Sequence, residues 1–112
     1  MKIAPSILSS DFSVMDDNLK MLEKVKADYV HIDVMDGQFV PNITFGPPVI
    51  SSYRARTQIP FDVHLMIMNP ERYLEDFARS GADIITIHPE STIHLQRALQ
   101  QIKDLGCKAG IS

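Results

Sequence analysis

A single cysteine, Cys107, stands among 112 residues and tryptophan is absent, so no internal disulfide can hold this chain together. Stability has to come from a packed core, which a chain of this length can bury. No apolar stretch approaches the roughly 20 residues that cross a bilayer as a helix. Met1-Lys2-Ile3-Ala4-Pro5 leads straight into apolar sequence, without the core and cleavage site of a signal peptide. A lone cysteine, six methionines and no export signal point to a reducing cytoplasm. Basic residues are not in excess. Eleven Lys+Arg face 14 Asp+Glu, a net charge of −3, which excludes the basic footprint of a nucleic-acid binder and a polybasic membrane patch. No Gly-x-Gly-x-x-Gly follows the first apolar run, which counts against a dinucleotide-binding sheet. What is present, 45% apolar and 22% charged residues, is the composition of an ordinary globular domain, read as a single domain over residues 1–112.

The pattern along the chain alternates strand and helix. Residues 3–8 read as a first strand, irregular or at an edge because Pro5 cannot donate to a ladder. Ser13 and Asp16 form a Ser-x-x-acid capping box for a helix over 14–26, with Met15, Leu19, Leu22 and Val25 on its apolar stripe. A second strand covers 29–35. A long loop over 37–48 ends in Gly46-Pro47-Pro48, a start signal for a helix over 47–56. A third strand covers 61–67. Asn69-Pro70 caps a helix over 70–79 that buries Tyr73, Leu74 and Phe77, and Ser80-Gly81 stops it. A fourth strand covers 84–88, and a helix over 93–105 carries Leu95, Leu99, Ile102 and Leu105 on one face. Gly106 ends that helix, and 107–112 begin a fifth strand. Five strands and four helices, with both strand faces largely apolar, are the pattern of a parallel α/β sheet, doubly wound or barrel. A faint internal repeat supports it: Lys26-Ala27-Asp28 before one strand matches Gly81-Ala82-Asp83 before another, and Asp33 falls opposite His88.

Two strands carry the same unexpected face. Residues two apart in a strand share a side, so His31, Asp33 and Met35 point together, as do Asp62, His64 and Met66. One reading is a metal or acid–base site, since His31, Asp33 and His64 are suitable ligands for a divalent ion. The other is a pair of satisfied core histidines with Asp33 capping a loop. The same-face repetition favours the first. Ser6, His31, Asp33, His64 and His88 all fall near C-terminal strand ends, where barrels carry their active sites. Asp62 either orients a ligand histidine or makes a packing hydrogen bond. Asp36 is read as binding backbone amides beside Gly37. Met35 and Met66 are core or line a dry pocket. His88 belongs to the pocket or to the scaffold, His94 faces solvent, and Cys107 is a small buried apolar residue.

The segments IAPSILSSDF (3–12), VHIDVMDG (30–37), FVPNITFG (39–46) and DVHLM (62–66) closely resemble the ribulose-phosphate 3-epimerase family, and the likeness extends along the whole chain. It implies a (β/α)8 TIM barrel, of which this chain is the N-terminal part, with about five strands and four helices. It implies interconversion of D-ribulose 5-phosphate and D-xylulose 5-phosphate, a step of the pentose phosphate pathway. It implies a divalent ion (zinc, iron, manganese or cobalt) held by His31, Asp33, His64 and one further aspartate. Asp33 is then a catalytic acid–base. Ser6 and His64 contact the sugar phosphate, and Met35 and Met66 pack around the reacting carbons. Inverting carbon 3 means removing a proton beside a carbonyl and returning one from the opposite face. An ion on the sugar oxygens stabilises the enediolate, and a carboxylate takes the proton. The second carboxylate and the glycine-rich phosphate segment are not among these residues. Such barrels need roughly 200–250 residues, so the 112-residue chain is expected to have little activity alone. Gln38 stands where many relatives have histidine. Two alternatives stay in view: an epimerase acting on allulose 6-phosphate, and a non-catalytic half-barrel. The open edges of its first and fifth strands would invite strand association or a homo-oligomer.

Overall fold

The computed structural model describes residues 1–112. Four parallel strands form one sheet in chain order: β1 (Val30–Met35), β2 (Phe61–Met66), β3 (Ile84–Ile87) and β4 (Lys108–Ile111). Helix α1 (Met15–Lys24) precedes β1. Helices α2 (Pro47–Arg54), α3 (Leu74–Arg79) and α4 (Leu95–Asp104) fill the three crossovers. In doubly wound sheets the strand order reverses at a switch point. Here it never does, which is the winding of a (β/α)8 barrel wall.

Burial along β1 and β2 alternates strictly. Val30, Ile32, Val34, Phe61, Val63, Leu65, Ile85 and Ile87 are buried on the helix side. They pack with Leu19, Leu22, Ile50, Leu74, Phe77, Ala98 and Ile102 in one core cluster. The other face is the polar one that the two-residue spacing predicts for β1 and β2, and it corrects the reading of both faces as largely apolar. It presents His31, Asp33, Asp62, His64 and Thr86, all half-buried, with Met35, Met66 and Ile84 between them. Parallel pairing sets His31 beside Asp62, Asp33 beside His64 and Met35 beside Met66.

The first expected strand is reduced to a single parallel bridge between Ser6 and His31. The Asp28, Tyr29 and His31 amides donate to Ile3 O and Pro5 O. Pro5 has no N–H to return, and residues 7–9 turn into a 3-10 helix directly after Ser6. The sheet therefore has four full strands. Asp11, not Ser13, caps the entry to α1: its carboxylate accepts from Ser13 N at 2.9 Å and Ser13 Oγ at 2.6 Å. That α1 ends at Lys24 leaves Val25 beyond the stripe and 65% exposed. The third helix is split. Asn69 adopts φ +51 without a side-chain cap bond, Pro70–Arg72 form a 3-10 turn, and Tyr73 at the break is 42% exposed. On α4 the deeply buried positions are Ala98 and Ile102, with Leu95, Leu99 and Leu105 half-buried at the margin. Cys107 is buried and donates to Ala82 O.

The internal repeat has a physical cause at the N-terminal end of the sheet. Helices α1, α3 and α4 all close in the same way. Lys26, Gly81 and Gly106 take positive φ, and the amides of Ala27, Ala82 and Cys107 reach back to Leu22 O, Phe77 O and Ile102 O. After α1 and α3 the aspartate that follows then ties the new strand to its predecessor. Asp28 Oδ2 accepts from Ile3 N and Asp83 Oδ2 from Phe61 N, both at 2.8 Å. Arg54 completes this end, donating to Thr57 O at 2.6 Å and Ile59 O at 2.8 Å while lying over the Phe61 ring.

Candidate functional site

On the inner face of the sheet, the polar side chains gather into one cluster centred on Asp33. Its Oδ2 accepts the Ser6 hydroxyl at 2.7 Å. Its Oδ1 faces His31 Nε2 at 3.2 Å and His64 Nδ1 at 3.1 Å. His31 donates its Nδ1–H to Asp62 Oδ2 at 2.8 Å, because a carboxylate can only accept. His64 Nε2 lies 2.7 Å from His88 Nε2. One ligand atom each from His31, Asp33 and His64 lie within 4.8 Å of one another.

The register explains why a two-residue period produced this cluster. Asp33 and His64 are direct neighbours across β1 and β2, and Ser6 reaches in through its bridge to His31. Asp62 also shares the face, but the histidine it orients is His31, its register partner, rather than His64 on its own strand. His88 joins the pocket. Met35 and Met66 lie side by side, half-buried, one step beyond Asp33 and His64 on the same face. Asp36 works as a loop anchor, accepting from the amides of Gln38, Phe39 and Met68. His94 is exposed at the start of α4, away from these contacts.

Two contributors escaped sequence reading. Thr44 Oγ1 donates to Asp33 O and accepts from Met35 N, both at 3.0 Å, clamping the 37–46 loop onto the strand that carries Asp33. Phe39, from the same loop, packs on His88 with ring centroids 4.9 Å apart. The only prior signal was their place inside the FVPNITFG motif. Beside the cluster, a cavity of about 310 Å³ opens behind Met35, Asp36 and Gln38, reaching Arg72 and Phe77.

The electrostatics follow from who faces whom. Burial pushes the Asp33 carboxyl up, but the Ser6 hydroxyl and the two histidines outweigh it and hold Asp33 below the usual carboxylate range. The Asp62 carboxylate raises His31 above its ordinary 6.5 against the effect of burial. Burial lowers His64, and Asp33 only partly offsets it. Three electron-rich atoms therefore converge: His31 Nε2, Asp33 Oδ1 and His64 Nδ1. Protons fill the space between them when nothing else does. A divalent cation suits the same space, because the donor set is two imidazoles and a carboxylate and His31 is already oriented by Asp62.

A barrel-type wall whose polar inner face carries a two-histidine, one-carboxylate cluster is the layout of a (β/α) barrel enzyme site. The profile of the Ribulose-phosphate 3 epimerase family matches residues 2–112, and the chain belongs to that family. It is 53% identical over 111 residues to the ribulose-phosphate 3-epimerase of Bacillus subtilis (strain 168), covering 99% of this chain and 51% of that protein. It is 54% identical over 110 residues to the enzyme of that name from Synechocystis, covering 96% of this chain and 48% of that protein. It is 51% identical over 111 residues to the Arabidopsis thaliana chloroplastic ribulose-5-phosphate-3-epimerase, covering 97% of this chain and 40% of that protein. The chain thus spans about half the length of the curated relatives it matches. No helix in it is long and apolar enough to cross a membrane.

Proposed function

We propose that this chain is the metal-binding, base-carrying part of a ribulose-phosphate 3-epimerase, the N-terminal part of one barrel domain. The observation that carries the reading is the convergence of His31 Nε2, Asp33 Oδ1 and His64 Nδ1 on one point beside Ser6. His31, Asp33 and His64 would hold a divalent ion, for which zinc, iron, manganese and cobalt all suit the donors. When bound, that ion would supply positive charge to offset the negative charge that builds on the carbonyl oxygen as the carbon 3 proton leaves. Asp33, kept ionised by Ser6 and the two histidines, takes the carbon 3 proton as general base. Ser6 holds Asp33 Oδ2, which fixes the plane of the carboxylate, and would meet a sugar hydroxyl. His64 presents a ring edge to the same space. Met35 and Met66 wall the reacting carbons with apolar, polarisable surface that keeps bulk water away.

Inversion also needs a proton from the opposite face. The other carboxylate in the cluster, Asp62, is held by His31 and lies one register step back from Asp33. It does not serve as the second acid. The 112 residues alone are therefore expected to turn over little.

The test is epimerisation of D-ribulose 5-phosphate, with D-allulose 6-phosphate as competitor, by the protein carrying this sequence. Activity on the pentulose phosphate that is abolished by a chelator and by Asp33→Asn supports the reading. Undiminished turnover by Asp33→Asn, or preference for the hexulose phosphate, overturns it.

A further inference from the structure

We infer that His88 is a positioning residue for His64, holding that ring with Nδ1 turned onto the ion and accepting its Nε2–H when the ion is in place. This rests on the metal reading above. His64 Nε2 and His88 Nε2 are 2.7 Å apart. Their ring planes differ by only 28° and the centroids are 4.9 Å apart. With so short a nitrogen–nitrogen distance, that is an end-on N–H···N bond between nearly coplanar rings, not face-to-face stacking. Phe39 packs on His88 at 4.9 Å, so the ring that steadies His64 is itself braced by the loop that Thr44 clamps to β1.

The bond must run in opposite directions in the two states of the site. With no ion, Asp33 Oδ1 takes the Nδ1–H of His64, so His64 Nε2 is an acceptor and His88 donates. With an ion at Nδ1, His64 carries its proton at Nε2 and His88 must accept. Imidazole is one of few side chains that can do both. The protons balance. The shared proton moves from His88 Nε2 to His64 Nε2, His64 releases its Nδ1 proton to water, and His88 takes one at Nδ1. The pair stays neutral. Glu90 Oε2 lies 4.0 Å from His88 Nδ1, on the side where that proton arrives. With the ion in place His88 accepts from His64 as Asp62 accepts from His31, so that the other nitrogen of each ring faces the ion. Such partners are typically worth ~10- to 100-fold in metal affinity.

The experiment compares the unaltered protein with His88→Gln and His88→Phe, using zinc alone as probe. Zinc affinity is read by calorimetry and His64 protonation by nitrogen-15 imidazole spectra. Glutamine keeps a group that both donates and accepts, whereas phenylalanine keeps the ring that packs on Phe39 and removes the bond. The expected result is zinc affinity near that of the unaltered protein for His88→Gln and roughly tenfold or greater loss for His88→Phe. In the zinc-loaded unaltered protein, His64 is expected to be protonated at Nε2. Equal affinity in all three proteins overturns the role, as does His64 protonated at Nδ1 with zinc bound. A packing role alone predicts the reverse order, with phenylalanine tolerated and glutamine not. If His88→Phe fails to fold, the spectrum of the unaltered protein and the glutamine variant still decide. Failure of the unaltered protein to take up zinc overturns the metal reading and this role with it. A zinc-binding protein indifferent to residue 88 overturns this role only.

Discussion

Replacing Asp62 with asparagine keeps the shape of the side chain and removes its charge. In the folded chain Asp62 Oδ2 accepts the Nδ1–H of His31 at 2.8 Å, with both side chains about one-fifth to one-quarter exposed. Two consequences are linked. The first is metal affinity. Asp62 keeps the proton on Nδ1 and leaves Nε2 free toward Asp33, so its loss is expected to weaken zinc binding by ~10- to 100-fold, or about 1.4–2.7 kcal/mol. The second is protonation. Asp62 is the chief reason His31 titrates above 6.5, with burial opposing it. A group whose folded pKa is raised adds stability that is fully present below its unfolded value and is lost as pH rises through the folded value. Metal-free Asp62→Asn should therefore lose most stability on the acid side of 6.5 and approach the unaltered protein above the folded His31 midpoint. Calorimetric zinc titration and urea unfolding across that range measure both. Unchanged zinc affinity together with an unchanged His31 midpoint would refute the reasoning, because it would mean that Asp62 orients nothing.

In the metal-free protein, ring-proton NMR should find the His31 midpoint above 6.5 and the His64 midpoint below it; midpoints in the opposite order would contradict the assigned contacts. The lowered His64 has the opposite sign in stability, a contribution present above its unfolded value and lost as pH falls through the folded one. Arg54→Ala removes two charged hydrogen bonds to Thr57 O and Ile59 O. It should cost about 3 kcal/mol in urea unfolding, with Arg54→Lys recovering only part; a loss under about 1 kcal/mol would show that water replaces the guanidinium. Gly37 has φ +73, and an added Cβ would meet Ile43 Cγ1 at 2.8 Å. Gly37→Ala should therefore destabilise the loop by about 1–2 kcal/mol and speed amide exchange at Gln38 and Phe39 more than in the sheet; uniform exchange would argue against a local effect.

What was legible in the sequence was what depends on short periods. The two-residue alternation in β1 and β2 was enough to place His31, Asp33 and His64 on one face, and Asp36 beside Gly37 read correctly as a loop anchor. What was not legible depends on pairing between distant segments. Asp62 shares a strand with His64, yet its partner is His31, because parallel register and not chain neighbourhood decides which groups meet. His88 could not be assigned until β3 lay beside β2 and the 37–46 loop had folded over it. Helix ends failed for a related reason. Asp11 and Ser13 both offer a capping oxygen, and only the backbone turn at Phe12–Val14 decides between them. The non-helical backbone at Tyr73, φ −125, splits a helix whose apolar spacing looked continuous and leaves Tyr73 outside.

Crystals of the protein grown with zinc and measured at the zinc absorption edge test the site most directly. The metal reading predicts an anomalous peak about 2.0–2.2 Å from His31 Nε2, an oxygen of Asp33 and His64 Nδ1, with His31 still bonded to Asp62. No peak at this point, or zinc bound only elsewhere on the chain, would contradict it.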